Sequence, residues 1–288
     1  MKIKILLFII YLILFSFNSI AQNSERKFKI HTLAFYNLEN LFDTINDVNK
    51  NDEASPIMEI KFNRSGIYKQ KIANMAKVIS EIGYDVTNRP PTIVGICEVE
   101  NRKVVEDLIS DEKLKNYNYG IVHYESPDDR GIDVGLIFNK DVFKVKNSNS
   151  HDVFITSNNS SKRRNTRDQL VVSGLLDGEL IHIIVNHWPS RGADETKRIA
   201  AAEVNNSIID SLRNIHNNPK IITMGDFNDD PFDKSIKKVL GAKKEIKEVG
   251  KNDLYNPFEK ILVEKGIGTN AYRDKWQLFD QIILSKEF

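Results

Sequence analysis

The chain has 288 residues, 41% of them hydrophobic and 28% charged, with 14 glycines and 8 prolines; this supports a full core and excludes a disordered or fibrous chain. Its 41 basic and 40 acidic residues give a formal net charge of +1, which excludes a global field gathering polyanions, so any contact with nucleic acid must come from a local basic patch. The single cysteine, Cys97, excludes an intramolecular disulfide and a cysteine metal cluster, and its apolar run marks it as a small core residue.

The N-terminus opens Met1-Lys2-Ile3-Lys4, runs on as an apolar stretch from Ile5 to Phe17 and ends in Ser19-Ile20-Ala21. A charged start, an apolar middle and a small-residue end predict a signal peptide over 1–21, cleaved to leave a secreted or periplasmic protein. The apolar run is shorter than the ~20 residues that span a bilayer, so stable membrane insertion after cleavage is not expected. Cleavage removes Lys2 and Lys4 and no acid, which turns the net charge of +1 into −1.

Apolar runs of strand length follow at 30–36, 92–97, 119–123, 134–138, 170–175, 180–185, 221–224 and 279–284. Between them, Tyr68, Ile72, Met75, Ala76 and Ile79 recur at helical spacing, as do Ile199, Ala202, Val204, Ile208, Ile209 and Leu212, and Val104, Val105, Leu108 and Ile109 predict a shorter helix. Leu176-Asp177-Gly178-Glu179 reads as a hairpin turn. Polar stretches at 46–52 and 158–165 read as surface loops. Strands mixed with helices, rather than strictly alternating with them, predict two packed sheets covered by helices, in one domain over 22–288.

The strongest functional signal is the set of polar residues that follow strand ends. Asn37-Leu38-Glu39-Asn40, Glu98-Val99-Glu100-Asn101, His187-Trp188-Pro189-Ser190-Arg191 and Asp226-Phe227-Asn228 each end an apolar run, and Asp280 lies in the last strand. Strand ends of a packed sheet assembly gather at one edge, where clefts form. Singly each residue reads as a turn residue or a partly buried histidine. Together they are the carboxylate, amide and imidazole mixture suited to a hard cation beside a phosphate ester, and a poor set for zinc.

The order Asn37, Glu98, His187, Gly225-Asp226-Phe227-Asn228 and Asp280 resembles the deoxyribonuclease-I-like endonuclease/exonuclease/phosphatase superfamily over about residues 29 to 288. The resemblance implies an α/β fold, a four-layer α/β/β/α sandwich of two mixed sheets flanked by helices. It implies that Glu98 is the principal ligand of Mg2+, or of Mn2+ in its place, supported by Asn37 and Glu39. Asp226 would orient or activate the attacking water, Asn228 would hold a phosphate oxygen, and His187 would act as acid or phosphate ligand. Arg167 resembles a phosphate-contacting arginine. Asp133 is expected to pair with His187 and fix its tautomer. Lys162, Arg163 and Arg164 would supply the local basic patch.

The resemblance also implies a Ser-Asp-His segment carrying a general base paired with Asp280, and no such segment occurs before Phe288. The expectation is a domain truncated at its C-terminus, lacking its last strands and reduced in stability. His31, His123, His151, His182 and His216 stand in other contexts and read as structural.

Physically, phosphodiester hydrolysis asks a site to neutralise charge and position water. The leading expectation is a secreted metal-dependent endonuclease or exonuclease acting on nucleic acid. The alternatives are a phosphodiesterase or phosphatase acting on a phospholipid or small phosphoester, and a non-catalytic binding protein that has lost its base.

Overall fold

A computed structural model describes residues 29–156 and 161–288. The expected signal peptide lies outside the described residues, as does the first part of the expected loop at 158–165. Residues 31–288 form one compact unit. Among the described residues no helix is long and apolar enough to cross a membrane.

Two mixed sheets are stacked face to face. The first has the order β1 (Leu33–Leu41), β2 (Ile93–Val99), β4 (Asp133–Asn139), β3 (Tyr119–His123). The second runs β11 (Ala242–Lys243), β12 (Leu254–Tyr255), β15 (Asp280–Ser285), β10 (Lys220–Asp226), β9 (Glu179–His187), β8 (Gln169–Leu176), β5 (Phe143–His151). Pairs β1–β2 and β9–β10 are parallel, whereas β10–β15, β8–β9, β5–β8, β2–β4 and β3–β4 are antiparallel. Two short ribbons complete the strands, β6 (Ile155–Thr156) with β7 (Arg163–Arg164) and β13 (Asn270–Tyr272) with β14 (Lys275–Gln277).

Strand alternation explains why the sheets are covered on both sides. Ile93 and Cys97 of β2 pack between the sheets with Val134, Leu136, Leu170, Val172, Ile181, Ile183, Val185, Ile222 and Met224. Their neighbours Val94 and Ile96 point the other way, onto Ile72, Ala76 and Ile79 of helix α1 (Arg64–Glu81) and Val104, Val105 and Leu108 of helix α2 (Arg102–Ile109). On the far side, Val171, Ile184, Ile221 and Ile283 meet Ala201, Ala202, Ile208, Ile209 and Leu212 of helix α3 (Glu195–Ile215). The four layers expected from the sequence are present, and Cys97 is a fully buried core residue.

Two glycines allow the close approaches this stacking needs. A Cβ at Gly95 would come within 2.6 Å of Met224 Sδ across the sheets, and one at Gly225 within 2.4 Å of the Asn186 carbonyl oxygen on β9. Helix starts follow the caps in the sequence: the Asn101 side chain accepts from Val104 N at 3.1 Å, and that of Asp194 from Thr196 N at 2.9 Å.

Several elements differ from the sequence reading. Strand β5, Phe-Lys-Val-Lys-Asn-Ser-Asn-Ser-His, is polar because it closes an edge of the larger sheet. The polar stretch 46–52 is a loop, but Asp52 is buried, its carboxylate accepting from Asp47 N at 2.8 Å. Arg163 and Arg164, expected in a loop, form strand β7, and a further helix, α4 (Phe258–Lys265), precedes the β13–β14 hairpin.

Candidate active site

The same alternation that builds the core aims the polar strand ends into one cleft. On β9, Ile181, Ile183 and Val185 face the opposite sheet, so His187 does too. On β10, Ile222 and Met224 face inward, which places Asp226 inward, and on β15 Ile282 and Leu284 do the same for Asp280. Asp226 stands opposite His187 on one side and opposite Asp280 on the other. Leu33 and Phe35 of β1 face between the sheets, and Asn37 follows in the same parity.

Glu98 arrives by a different device. Simple alternation from Cys97 would turn its side chain toward the helices. The register between β2 and β4 slips between Cys97 and Val99, and Glu98 takes the left-handed conformation at φ 58°. The bulge reverses the parity, so Val99 joins the helix-facing core and the Glu98 carboxylate enters the cleft. Glu39, Asn40 and Asn228 also have positive φ (49°, 57° and 51°). A left-handed glutamate is strained, and at Glu98 and Glu39 that strain is held beside the cleft by the surrounding hydrogen bonds.

The groups are hydrogen-bonded to one another. Asn37 Nδ2 donates to Glu98 Oε1 at 3.2 Å and to Asp226 Oδ2 at 3.1 Å, its Oδ1 accepts from Glu39 N at 2.8 Å, and Glu98 Oε2 accepts from Asn40 N at 2.9 Å. Asp226 Oδ1 accepts from Asn228 N at 2.9 Å, and Asn228 Nδ2 donates to the Trp188 carbonyl at 3.0 Å. His187 Nε2 lies 3.7 Å from Glu98 Oε1 and 3.9 Å from Asp226 Oδ2.

Crowding of like charge away from water moves the titrations. Burial, with the Glu98 charge adding to it, raises Asp226 to about 6, and burial together with Asp226 raises Asp280 to about 7. Burial, reinforced by the Arg167 and Arg130 charges, holds His187 well below its usual value, so its imidazole is neutral at pH 7.

Glu98, His187 and Asp226 each offer one ligand atom within 4.8 Å of the others. Two carboxylates, a neutral imidazole and a third carboxylate close by at Asp280 fit a divalent cation, which would relieve the repulsion between them. Asn37 orients two of these carboxylates through its amide nitrogen. Glu39 is exposed on the rim and its carboxylate stands outside this cluster, a position nearer solvent than the supporting role expected of it.

The loop after Asp226 is held by its own ion pairs. Asp229 accepts from Arg198 Nε at 2.7 Å and from Ser235 Oγ at 2.6 Å, and Asp230 accepts from Arg191 at 3.0 Å and from Leu278 N at 2.7 Å. Asn186 fixes the turn beyond His187: its Oδ1 accepts from Trp188 Nε1 at 3.1 Å and from Asn205 at 2.8 Å.

Asp133 stands away from the cleft, contrary to the expectation from the sequence. Its parity on β4 is opposite to that of Val134 and Leu136, so it lies on the helix side of the smaller sheet, where His123 Nε2 meets Asp133 Oδ2 at 3.1 Å and Ser126 N donates to Oδ1 at 2.8 Å. It does not pair with His187, whose buried Nδ1 has no partner among the described residues. Arg167 is buried, with Nη2 donating to the Trp188 carbonyl and Nη1 3.5 Å from Asp128. Arg163 pairs with Asp152 and covers the Phe154 ring at 5.6 Å, so the basic patch is narrower than the sequence suggests. Sequence reasoning missed Lys71, whose ammonium donates to the carbonyls of Glu39 and Asn40 and ties down the loop after β1. A lone lysine on a helix face carries no signal for this.

Among the remaining histidines, His31 bonds Asp177 at 2.8 Å. His182 bonds Ser173 Oγ at 2.7 Å and packs against the His216 ring with centroids 4.7 Å apart. Burial, aided by His216, lowers His182 to about 4. The unfolded chain therefore binds a proton that the folded one refuses as pH falls from 6.5 toward 4, and stability falls with it. A cavity reaches His182 and screens part of the effect, which leaves an expected loss of about 2 kcal/mol. Denaturation midpoints at pH 7 and pH 4.5 should show this decline in the wild type and a smaller one in His182→Gln.

Comparison with known proteins accords with this architecture. No curated protein matches the chain by sequence. Among solved structures, a mannosyl-6-phosphatase from Bacteroides thetaiotaomicron aligns with TM-score 0.55 at 17% identity, over 88% of this chain and 84% of that one. An endonuclease/exonuclease/phosphatase from Bacteroides vulgatus aligns with TM-score 0.53 at 13% identity, over 88% and 85%. A humanized D. rerio TDP2 aligns with TM-score 0.51 at 14% identity, over 87% and 81%. At such identities the likeness is one of fold. The sequence model described as "Endonuclease/Exonuclease/phosphatase family" matches residues 32–288, the whole stretch that carries both sheets and the cleft, and on that match the chain belongs to the endonuclease/exonuclease/phosphatase family.

Proposed function

We propose that this member of a family of divalent-metal-dependent phosphoester hydrolases is an exported phosphodiesterase acting on nucleic acid, with Mg2+ or Mn2+ as its ion. The observation that carries the reading is the convergence of Glu98, Asp226, Asp280 and a neutral His187 on one cleft from four strands of two sheets. Export rests on the sequence of residues 1–21.

In this reading Glu98, His187 and Asp226 hold the divalent ion. When bound, the ion supplies charge neutralisation at the phosphoryl oxygens and the leaving oxygen. Asn228, its side chain anchored on the Trp188 carbonyl, borders the place where a phosphate oxygen sits. Asp226 orients water for in-line attack, and Asp280, facing it across the ladder, is placed to take up the water's proton.

Nucleic acid is favoured by what flanks the cleft. Thr269 Oγ1 accepts from the backbone N–H groups of Phe279 and Asp280, each at 3.2 Å, and so ties the β13–β14 hairpin to the site. That hairpin exposes Tyr272 and Trp276 beside Arg273 and Lys275, which suits stacking on bases and contact with a polyanion. The same aromatics favour a phospholipid as second reading, but the hairpin tip is Arg273-Asp274, a charged pair ill suited to burial in acyl chains.

A plasmid-nicking assay with and without chelator tests the proposal. Metal-dependent nicking that Glu98→Gln lowers by about 100-fold or more is expected. Release of phosphocholine from liposomes, or of phosphate from sugar phosphates, with no nicking would overturn the choice of substrate. Absence of all three activities would favour a binding protein.

A further inference from the structure

Beside the cleft, on the far side of Arg167, lies a cavity of about 320 Å3 lined by Asp128, Arg130, Arg164, Arg167, Ser190 and Lys197, among others. Its size is at the small end of ligand pockets, about 300–1,000 Å3. We infer that this cavity is an anion subsite that takes a second phosphate of the substrate, next to the one being hydrolysed.

The first ground is an excess of cationic side chains that the fold itself leaves unsatisfied. Lys197 is only 6% exposed, yet its ammonium has no hydrogen-bond or ion-pair partner among the described residues. Its stem is packed away while its ammonium opens on the cavity, so an anion entering there meets a charge without a partner in the fold. Arg167, 7% exposed, also lines the cavity, and its Nε is buried without a partner. Arg130 and Arg164 stand at the mouth, both exposed. Against these four cations the cavity has two acids. Asp128 is shared between Arg167 at 3.5 Å and Arg130 at 3.3 Å, and Asp129 accepts from Asn165 at 2.8 Å. The walls therefore keep a net positive charge with donors unfilled, which an incoming phosphate would fill by charge-assisted bonds.

The second ground is continuity with the reaction centre. Arg167 Nη2 and Asn228 Nδ2 both donate to the Trp188 carbonyl, so one residue separates the cavity wall from His187. Pro189 and Ser190, which follow directly, line the cavity. The Arg167 charge is felt at both His187 and Asp226. A chain of phosphodiesters lying across the cleft would bring its neighbouring phosphate to this cavity. A substrate with a single anionic group would leave it unfilled.

The inference rests on the cleft being a phosphoester-hydrolysing centre, and its test separates the two. Calorimetric titration of the full chain with inorganic phosphate in chelator probes the cavity alone, since without an ion the Glu98, Asp226 and Asp280 carboxylates repel the anion. One site is expected, weakened about tenfold by Lys197→Met, about threefold by Arg164→Ala on the exposed strand β7, and largely kept by Lys197→Arg. Absence of binding, or binding unchanged in a folded Lys197→Met and in Arg164→Ala, would overturn the subsite. With the metal supplied, Lys197→Met should raise KM for a trinucleotide with two phosphodiesters and leave that for a dinucleotide with one unchanged. An equal effect on both would assign Lys197 to the scissile phosphate and overturn the second-phosphate assignment.

Discussion

Replacing Asp226 by asparagine is expected to lower kcat by about 1,000-fold while raising the stability of the metal-free protein. The two effects have one origin. Asp226 is 8% exposed and shares Asn37 with Glu98, so the charge that suits it to hold an ion and orient water is held against burial and against its neighbour. Its folded value of about 6 lies above that of a free carboxylate. The folded protein thus binds a proton more tightly than the unfolded chain, and stability is lost as pH rises from about 4 through 6. Asparagine removes that loss but turns an amide NH2 toward the donor on Asn37, so the net gain at pH 7 should be about 1 kcal/mol, vanishing near pH 4. Urea midpoints at the two pH values, in chelator, measure it. A destabilised variant at pH 7 would mean that Asp226 serves the fold rather than the chemistry.

Gly225→Ala should damage both fold and activity. A Cβ there would fall 2.4 Å from the Asn186 carbonyl oxygen and 2.6 Å from Asn186 Cβ. Both atoms belong to the paired strand β9, in register with Gly225 itself, so no flexible side chain can yield. Strands β9 and β10 must separate where they deliver His187 and Asp226. The expected cost is about 3 kcal/mol, roughly 6–12 °C in Tm, and about 100-fold in kcat from misplacement of the two side chains. Gly192→Ala is the control, since its methyl would meet only Ser190 Oγ at 3.6 Å. It should change neither quantity beyond error.

Much of this arrangement was legible before the structure. The strands are buried on both faces and so read as continuous apolar runs, and the polar residues that follow them stand out by contrast. Asn37, His187, Asp226 and Asp280 could be placed at a common edge from strand ends alone. What decides which face each occupies is parity, and parity was legible only where the strand is regular. The bulge at Glu98 reverses it, and nothing in Cys97-Glu98-Val99 announces a left-handed glutamate. Asp133 failed for the complementary reason: one residue off the inward-facing set of β4, it belongs to His123. Strand β5 was missed because an edge strand facing solvent does not need to be apolar. Lys197 sits in the first turn of α3 like any solvated lysine, and only packing buries its stem and sets it in the cavity wall.

Glu98, His187 and Asp226 together form the proposed seat of a divalent ion, on which the hydrolytic role of the cleft depends. Titration of the chelator-treated protein with Mn2+, followed by calorimetry, tests that seat without reference to any substrate. One equivalent should bind the wild type, and Glu98→Gln should weaken that binding by about 100-fold, roughly 3 kcal/mol, with its melting temperature in chelator not lowered. Equal affinity in the two proteins would place the ion elsewhere and remove the basis for assigning hydrolysis to this cleft.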